Sequence, residues 1–502
     1  MSQYVFFIGG SGARVFTALT HTAAAGILAT KEISVLMIDA DESNYANKSS
    51  INLHESYQKV YEALAGRDRN MFTCKIKMLS DKVLSPVRPE TVNLSLAIGN
   101  SSEDRSRILK CLYTEEEIRQ RLEGGFFAHP NIGCVFFADF KHPEFDACLN
   151  RIDQELFNDQ DVRIALVGSV FGGTGAAGLP TIYKLIKERL KQNPHLKNRL
   201  HIGGILLVPY FKVNGTYKND KENIPIEMEE FYFNTYEALN YYRVNKDMDF
   251  ESTYLVGQQE LDVVNQSYAD SGEKQNNKPH IVELYAALAI DRFFSKPNEK
   301  GVFGSVRRGN LDWPGLPGAK EGLAQVHRLA DFTRLLTVFV SEVYGYANSI
   351  ENTYRQKWGI MVPQWYSVYC LKDNGSKQQA KMVTEYGLLY FDWLYKTNSI
   401  YGPDETLCLD KNLHLFGPTL QKVYELSTEL KKEESGKDIK YMVERIRNGF
   451  NELIDTTSNI EYVLDKVFLI LSMAGIAPMH TAATGTIALL CKIAALACKH
   501  KK

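Results

Sequence analysis

The chain has 502 residues, 44% of them hydrophobic and 24% charged, which is ample for two or three globular domains and excludes a disordered chain. Its formal net charge of −2, with no cluster of basic residues among aromatic ones, gives no basis for nucleic-acid binding, and we expect no such partner. The eight cysteines form no CxxC pair and no zinc-type spacing with histidine, so they indicate buried thiols in a reducing compartment.

The N-terminal stretch predicts a strand, a glycine turn and a helix in direct succession. The strand is Tyr4–Ile8, the turn is Gly9–Ala13 and the helix runs from Arg14 to about Leu28. Glycines before a helix let backbone N–H groups approach a phosphate, so the turn is a candidate phosphate loop. No basic segment precedes the strand, and we therefore expect no signal peptide and a cytoplasmic protein.

The next predicted strand, Lys31–Asp41, ends in two acidic residues, Asp39 and Asp41. Parallel α/β sheets bind their ligands at the carboxyl ends of their strands. In a dinucleotide enzyme Asp39 would bind a ribose hydroxyl, whereas in a triphosphate-binding protein both acids would approach the nucleotide and a metal ion. The residues alone leave both roles open.

The stretch that follows predicts a strand, a charged helix and a second glycine turn. Val92–Ile98 alternates polar and apolar residues like a strand, and 103–122 carries charged residues at helical spacing. The segment GGFFAHPNIG, residues 124–133, then predicts a turn. On residue type alone, two roles for His129 stay open: a turn histidine that caps local backbone, and a ligand contact.

The strongest motif is RIALVGSVFGGTGAAGLP, residues 163–180. An apolar strand feeds a loop with Gly172, Gly173, Gly175 and Gly178, and an amphipathic helix, Thr181–Leu190, follows at once. Glycines without Cβ atoms, next to the positive end of a helix dipole, are typical of a di- or triphosphate cradle. GTGAAG also fits the dinucleotide fingerprint GxGxxG, which is a weak signal by itself.

Four further elements complete the N-terminal part. We predict a buried parallel strand at Leu200–Phe211, a helix at Ile224–Arg243, a strand at Ser252–Gly257 and an apolar helix at His280–Phe294. A turn, Gly309–Trp313, and the hinge Gly315–Gly318 follow.

Residues 316–502 predict a mostly helical domain, with helices at Lys320–Tyr346, Lys377–Thr397, Thr419–Lys432 and Lys437–Asp455. The last two apolar pieces, Val467–Ala477 and Ala482–Cys498, are each shorter than the ~20 residues that span a bilayer. We expect core helices or a hairpin that docks a protein partner, and no membrane contact.

Five motifs occur in an order that resembles the tubulin/FtsZ superfamily: GGSGA, DAD, GGFFAHPNIG, GGTGAAG and NLD. The resemblance implies an α/β, Rossmann-like nucleotide-binding domain with a parallel sheet over residues 1–315, with 280–294 as its central helix. It implies GTP and Mg²⁺ as ligands, and a GTPase that assembles head to tail into filaments. In such filaments Asn310 and Asp312 of one subunit would complete the site of the next and position the attacking water.

The resemblance also implies which residues bind the nucleotide. His129 would lie beside the terminal phosphate, Gln258 would read the guanine base and Tyr285 would stack on it. The full set is Gly10, Ser11, Gly12, Ala13, Asp39, Asp41, Gly125, His129, Gly172, Gly173, Thr174, Gly175, Gln258 and Tyr285.

Two departures from the family pattern leave alternatives open. Ala289 stands where the family carries Asn or Asp for the guanine edge, and Gly315 stands where a second acid follows Asp312. One alternative is a nucleotide-binding scaffold or sensing module that does not polymerise. Another is a Rossmann-type NAD(P) or FAD enzyme, although its third fingerprint glycine would be Val15.

Overall fold

The computed structural model describes most of the first 307 residues and shorter stretches beyond them. The described residues are 1–64, 70–90, 92–99, 103–122, 124–191, 194–213, 228–245, 248–259, 261–265, 276–307, 374–398, 408–410 and 413–414, with Arg328, Leu329, Phe332 and Leu336. The chain divides into two compact units. The first comprises Met1–Thr20, Leu28–Asn52 and Cys74–Ala319, and the second comprises His21–Ile27, Leu53–Thr73 and Lys320–Lys502.

A seven-stranded sheet forms the centre of the first unit. Its strands are β1 (Ser2–Ile8), β2 (Glu32–Ile38), β3 (Lys75–Met78), β4 (Val162–Ser169), β5 (Leu200–Leu207), β7 (Ser252–Gln258) and β9 (Gly301–Arg307). All neighbouring pairs are parallel, in the order β3-β2-β1-β4-β5-β7-β9. Two short strands, β6 (Phe211–Val213) and β8 (Asp262–Asn265), pair separately. The predicted parallel α/β sheet is thus confirmed.

Ten helices of the described residues precede β9. They are α1 (Gly9–Ala24), α2 (Tyr45–Ala63), α3 (Leu94–Gly99), α4 (Glu103–Leu112), α5 (Glu115–Arg119), α6 (Pro130–Ala138), α7 (Pro143–Phe157), α8 (Gly173–Lys191), α9 (Met228–Val244) and α10 (Ile281–Ser295). A short 3₁₀ helix, Pro194–Arg199, leads into β5.

The central strands are covered on both faces, as continuous apolar runs require. All eight residues of β4 are buried. Phe6 of β1 packs in a core with Phe137 of α6 and Phe145 of α7. On the opposite face, Phe7 contacts Phe16 of α1, with ring centroids 5.2 Å apart. The sheet is therefore the middle layer of three.

The strand order reverses between β1 and β4. From β1 the chain proceeds outward through β2 to β3, and from β4 it proceeds outward in the other direction through β5 and β7 to β9. Open parallel sheets bind ligands in the crevice at such a switch point, outside the carboxyl ends of the strands. The turns that follow β1 and β4 are the two glycine-rich ones.

Several segments differ from the sequence prediction. The helices predicted to begin at Arg14 and Thr181 begin at Gly9 and Gly173, so the glycines predicted as turns lie in the first turns of α1 and α8. Val92–Ile98 was predicted as a strand, which is wrong: α3 forms there because the Asn93 side chain accepts a hydrogen bond from Leu96 N at 2.8 Å and starts the helix. β9 was not predicted, and it adds a seventh strand directly after α10. The predicted helix at His280–Phe294 is confirmed as α10, with His280 as its N-cap.

The described part of the second unit contains helix α11 (Asn374–Asn398) and a two-stranded pair, β10 (Cys408–Asp410) and β11 (Leu413–His414). α11 confirms the predicted helix Lys377–Thr397. Of the other predicted C-terminal helices, only Arg328, Leu329, Phe332 and Leu336 of Lys320–Tyr346 are among the described residues, and these four are helical. His21 is buried against three side chains of α11, Tyr386, Tyr390 and Trp393. None of the helices in the described part combines the length and apolar character that crossing a membrane requires.

Candidate functional site

The two glycine turns at the switch point lie against each other. α1 begins directly after β1, at Gly9, and α8 begins at Gly173, four residues after β4 ends at Ser169. A Cβ atom built on Gly9 would lie 3.3 Å from Gly175 N and 3.4 Å from Thr174 Cβ. Gly9 also has a φ of +78°, which glycine adopts without strain. Two helix N-termini, each with unpaired backbone N–H groups and positive dipole potential, therefore meet at one point.

Most of these glycines are required by packing. A Cβ atom on Gly12 would lie 3.1 Å from Phe7 C, and one on Gly178 would lie 2.7 Å from Phe137 Cζ. Gly178 thus serves the contact between α8 and α6 and not the phosphate cradle. Gly10 differs: its Cβ atom would have ordinary contacts, 3.8 Å from Asn44 Nδ2 and 4.0 Å from Asp39 Oδ2. Gly10 is also partly exposed, so a methyl group there would displace no protein atom.

We expect Gly175→Ala to destabilise the protein by about 3 kcal/mol, because the new methyl group meets backbone that has no room to move. Its Cβ atom would lie 2.4 Å from Ser169 O and 2.8 Å from Ser169 N. Urea unfolding measures the change, with Gly304→Ala as the control, since no atom of the described residues lies within 4 Å of a Cβ atom there. Equal stability of the two variants would contradict the contact described here.

The acidic turn after β2 stands beside Gly10. Asp39 Oδ2 accepts hydrogen bonds from Asn44 Nδ2 at 2.8 Å and Asn47 Nδ2 at 3.0 Å. Asp41 Oδ1 accepts from the N and Oγ of Ser43. Burial, and then the charge of Asp41, raise the pKa of Asp39 to about 6. The acid at this edge is therefore held in place by two asparagines that the sequence reasoning missed.

The turn that contains Gly125, Phe126 and His129 contacts the acidic turn after β2 and the glycine turn after β4. A Cβ atom on Gly125 would lie 3.8 Å from Asp41 Cβ, and one on Gly173 would lie 2.7 Å from Phe126 Cβ. His129 is the N-cap residue of α6, yet its side chain makes no capping hydrogen bond, so the expected backbone cap is wrong. Its Nε2 atom is buried without a partner among the described residues, and burial lowers the pKa of His129.

A buried ion pair lies next to the first glycine turn. Arg14 Nε donates to Glu283 Oε1 at 2.6 Å, and Arg14 Nη2 donates to Tyr210 OH at 2.8 Å and to Ser11 Oγ at 3.3 Å. Tyr210 OH in turn donates to Glu283 Oε1 at 2.9 Å. This network joins α1 to the end of β5 and to α10. It involves residues 269 positions apart, and no sequence motif pointed to it.

The remaining predicted site residues are placed as follows. Gln258 is buried at the carboxyl end of β7, and Tyr285 is half-buried on α10. Ser11 and Ala13 lie in the first turns of α1, and Thr174 is buried in the first turn of α8. Asn310 and Asp312 lie outside the described residues.

The residues at this edge fit a nucleotide with a hard cation. A Cβ atom on Gly10 would lie 4.0 Å from Asp39 Oδ2, and Asp41, whose backbone N donates to Asp39 Oδ1, follows in the same turn. Among the described residues, no three His, Cys, Asp or Glu side chains gather to hold a metal ion alone. Mg²⁺ commonly takes one or two carboxylates and completes its shell with phosphate oxygens and water.

No protein-family model matches the sequence, and no curated protein matches it. Among solved structures, CetZ from Methanosaeta thermophila is similar over 59% of this chain and 52% of its own, with 14% sequence identity and a TM-score of 0.24. The chain thus spans about half the length of that protein, and a likeness this loose carries no argument. The candidate site rests on the meeting of the glycine turns at the switch point.

Proposed function

We propose that the first unit binds a nucleoside triphosphate, with the phosphates at the N-termini of α1 and α8. One observation carries this proposal: two glycine turns meet at the switch point of a parallel sheet, and Gly10, which is partly exposed, lies beside Asp39. Helix N-termini bind anions through free N–H groups and the helix dipole. Two of them at one point suit a chain of phosphates better than a single anion.

Each group in the site then has a role. Backbone N–H groups of Gly10–Ala13 and of Thr174 and Gly175 donate to phosphate oxygens, and the Thr174 hydroxyl donates to phosphate or contacts the metal. Asp39 and Asp41 would hold Mg²⁺, which neutralises phosphate charge when bound. Asn44 and Asn47 keep Asp39 oriented toward the edge of the sheet.

The order of the motifs supports a finer assignment, to a tubulin/FtsZ-like GTPase. Gln258 and Tyr285 would then contact the base. The protein would assemble head to tail, because a contact between unlike surfaces that does not close into a ring makes a filament. Asn310 and Asp312 would complete the site and orient water. Gly315, in place of the second acid, predicts slow hydrolysis.

The test combines binding, assembly and turnover. Purified protein is titrated with GTP, ATP and no nucleotide, imaged by negative stain after pelleting, and assayed for phosphate release over a concentration series. We expect tight GTP binding, filaments, and release that rises more than linearly with protein. Absence of binding to either nucleotide would overturn the proposal.

Asp312→Asn should lower phosphate release about 100-fold while GTP affinity stays unchanged, since a group that orients water acts on the chemical step. Asp104→Asn, on exposed α4, is the control. Unchanged turnover in Asp312→Asn would remove the catalytic role assigned to this residue.

A nucleotide-binding scaffold that does not polymerise is the second candidate. It is favoured by Ala289, which is fully buried in α10 and offers no polar group to a base. The helical second unit would then recruit a protein partner. Tight nucleotide binding without filaments or release would support this candidate over the GTPase.

A dinucleotide enzyme is the third candidate, since the strand order also suits NAD(P) or FAD. Val15 stands at its third fingerprint glycine and is fully buried. The oxygen Asp39 Oδ2, which would accept from a ribose hydroxyl, already accepts from two asparagines. Binding of NADH, followed by its fluorescence, with no binding of GTP would favour this candidate.

A further inference from the structure

One face of α1 is partly exposed along its first two turns. Between Gly9 and Ala18, the residues that are not buried are Gly10, Ser11, Arg14 and Thr17. Positions three and four apart share one face of a helix. Arg14 therefore stands one turn after Gly10 and Ser11, on the side where the proposed nucleotide enters.

Arg14 is fixed in this position by partners on three sides. Glu283 and Tyr210 accept from Nε and Nη2, and the guanidinium carbon lies 5.0 Å from the centre of the Phe211 ring. The Arg14 side chain is 12% exposed, and its Nη1 group donates to no partner among the described residues. The positively charged guanidinium of Arg14 is thus fixed beside Gly10 and Ser11.

Both carboxylate oxygens of Glu283 already accept hydrogen bonds, and neither of them accepts from Arg14 Nη1. Its Oε1 accepts from Arg14 and Tyr210, and its Oε2 accepts from His280 N at 3.0 Å in the capping box of α10. The carboxylate is 1% exposed. Its negative charge balances the positive charge of Arg14, because an unpaired buried charge is costly.

We propose that Arg14 Nη1 donates to a phosphate oxygen of the bound nucleotide, and that Glu283 and Tyr210 hold the guanidinium for this contact. The inference rests on the proposed triphosphate site. It assigns a binding residue that no motif indicated. Phosphate is the ligand group because Arg14 Nη2 lies 3.3 Å from Ser11 Oγ, in the turn whose N–H groups bind anions. Guanidinium groups pair with phosphate oxygens through short charge-assisted hydrogen bonds.

The experiment removes the charge without leaving Glu283 unpaired. In the double variant Arg14→Gln/Glu283→Gln, two neutral amides replace the ion pair. Calorimetric titrations with GTP, inorganic triphosphate and guanosine are compared with wild type. We expect affinity for GTP and for triphosphate to fall at least about tenfold, the scale of a lost hydrogen bond to a charged group, with guanosine binding unchanged.

The chain offers a matched control in α7. Arg151 Nε pairs with Glu155 Oε1 at 3.2 Å, and Tyr4 OH donates to Glu155, so the arrangement repeats that of Arg14, Glu283 and Tyr210. Arg151→Gln/Glu155→Gln should leave all three affinities unchanged. Arg14→Lys is the second variant if the first does not fold: it keeps the charge, loses the planar fork, and should weaken triphosphate binding in the same direction.

The outcomes separate this inference from the proposed function. Wild-type protein that binds neither GTP nor triphosphate would overturn both. Wild-type binding with unchanged affinities in the double variant and in Arg14→Lys would overturn only the role of Arg14. An equal loss for guanosine and GTP would also overturn it, since the contact would then be to the nucleoside.

Discussion

Gly10→Ala will leave the protein folded and weaken nucleotide binding at least about tenfold, or about 1.4 kcal/mol. The fold tolerates the methyl group because its nearest atoms would be 3.8 and 4.0 Å away, on Asn44 and Asp39. The nucleotide does not tolerate it, since the methyl group fills the space that gives phosphate access to the N–H groups of α1.

Thermal unfolding and calorimetric titration with GTP measure both halves of this prediction. The Tm of Gly10→Ala should stay within about 2 °C of wild type, a small change for a chain of this length. Gly304→Ala, in the open part of β9, controls for the substitution and should change neither quantity. Normal GTP affinity in Gly10→Ala would show that the phosphates bind elsewhere.

Acidification will destabilise the second unit through His21. Its ring is fully buried, Nδ1 lies 3.0 Å from Tyr386 OH, and burial lowers the pKa of His21 to about 3. Below pH 6.5 the unfolded chain takes up a proton that the folded chain excludes. The stability that the neutral His21 ring contributes is therefore fully present above pH 6.5 and decreases as the pH falls. The free energy of unfolding is lower by about 4 to 5 kcal/mol near pH 3.

Urea unfolding at half-unit steps from pH 7 to pH 4, followed by tryptophan fluorescence, measures this slope. Trp393 reports directly, since its ring centre lies 4.7 Å from that of His21. His21→Gln keeps a hydrogen-bonding group beside Tyr386 without a titrating ring, and the difference between the two proteins isolates His21 from the carboxylates. His201→Gln is the control. Parallel pH profiles for wild type and His21→Gln would contradict the prediction.

The sequence predicted the parts of the fold that depend on composition. Continuous apolar runs indicated β1, β4 and β5 because parallel strands are buried on both faces. Glycine-rich turns after two of them located the switch point. The strand prediction for Val92–Ile98 was wrong because the hydrogen bond from Leu96 N to the Asn93 side chain starts α3 there, and the alternating pattern did not indicate it.

The candidate site was predictable only where neighbours in sequence form it. Gly10, Asp39 and Gly175 belong to local motifs, whereas the pairing of Arg14 with Glu283 depends on how α10 crosses the sheet. Asn44 and Asn47 face Asp39 because α2 begins there, and polar residues at helix starts are too common to single out. Side-chain partners from distant elements require the tertiary structure.

Because β9 is parallel to the other strands, the chain leaves the sheet at the edge where the carboxyl ends of the strands lie. β9 ends at Arg307, on the same edge of the sheet as the glycine turns, three strands from β4 and four from β1, which is about 14 Å and about 19 Å at the usual spacing. Asp312 follows Arg307 by five residues, and five residues of extended chain span at most about 18 Å, which covers the distance to the turn after β4 but not to the turn after β1. Mixing Gly10→Ala with Asp312→Asn decides which subunit it serves. Restored phosphate release would mean that Asp312 of one subunit completes the site of another. No phosphate release from the mixture would mean that Asp312 acts in the site of its own chain.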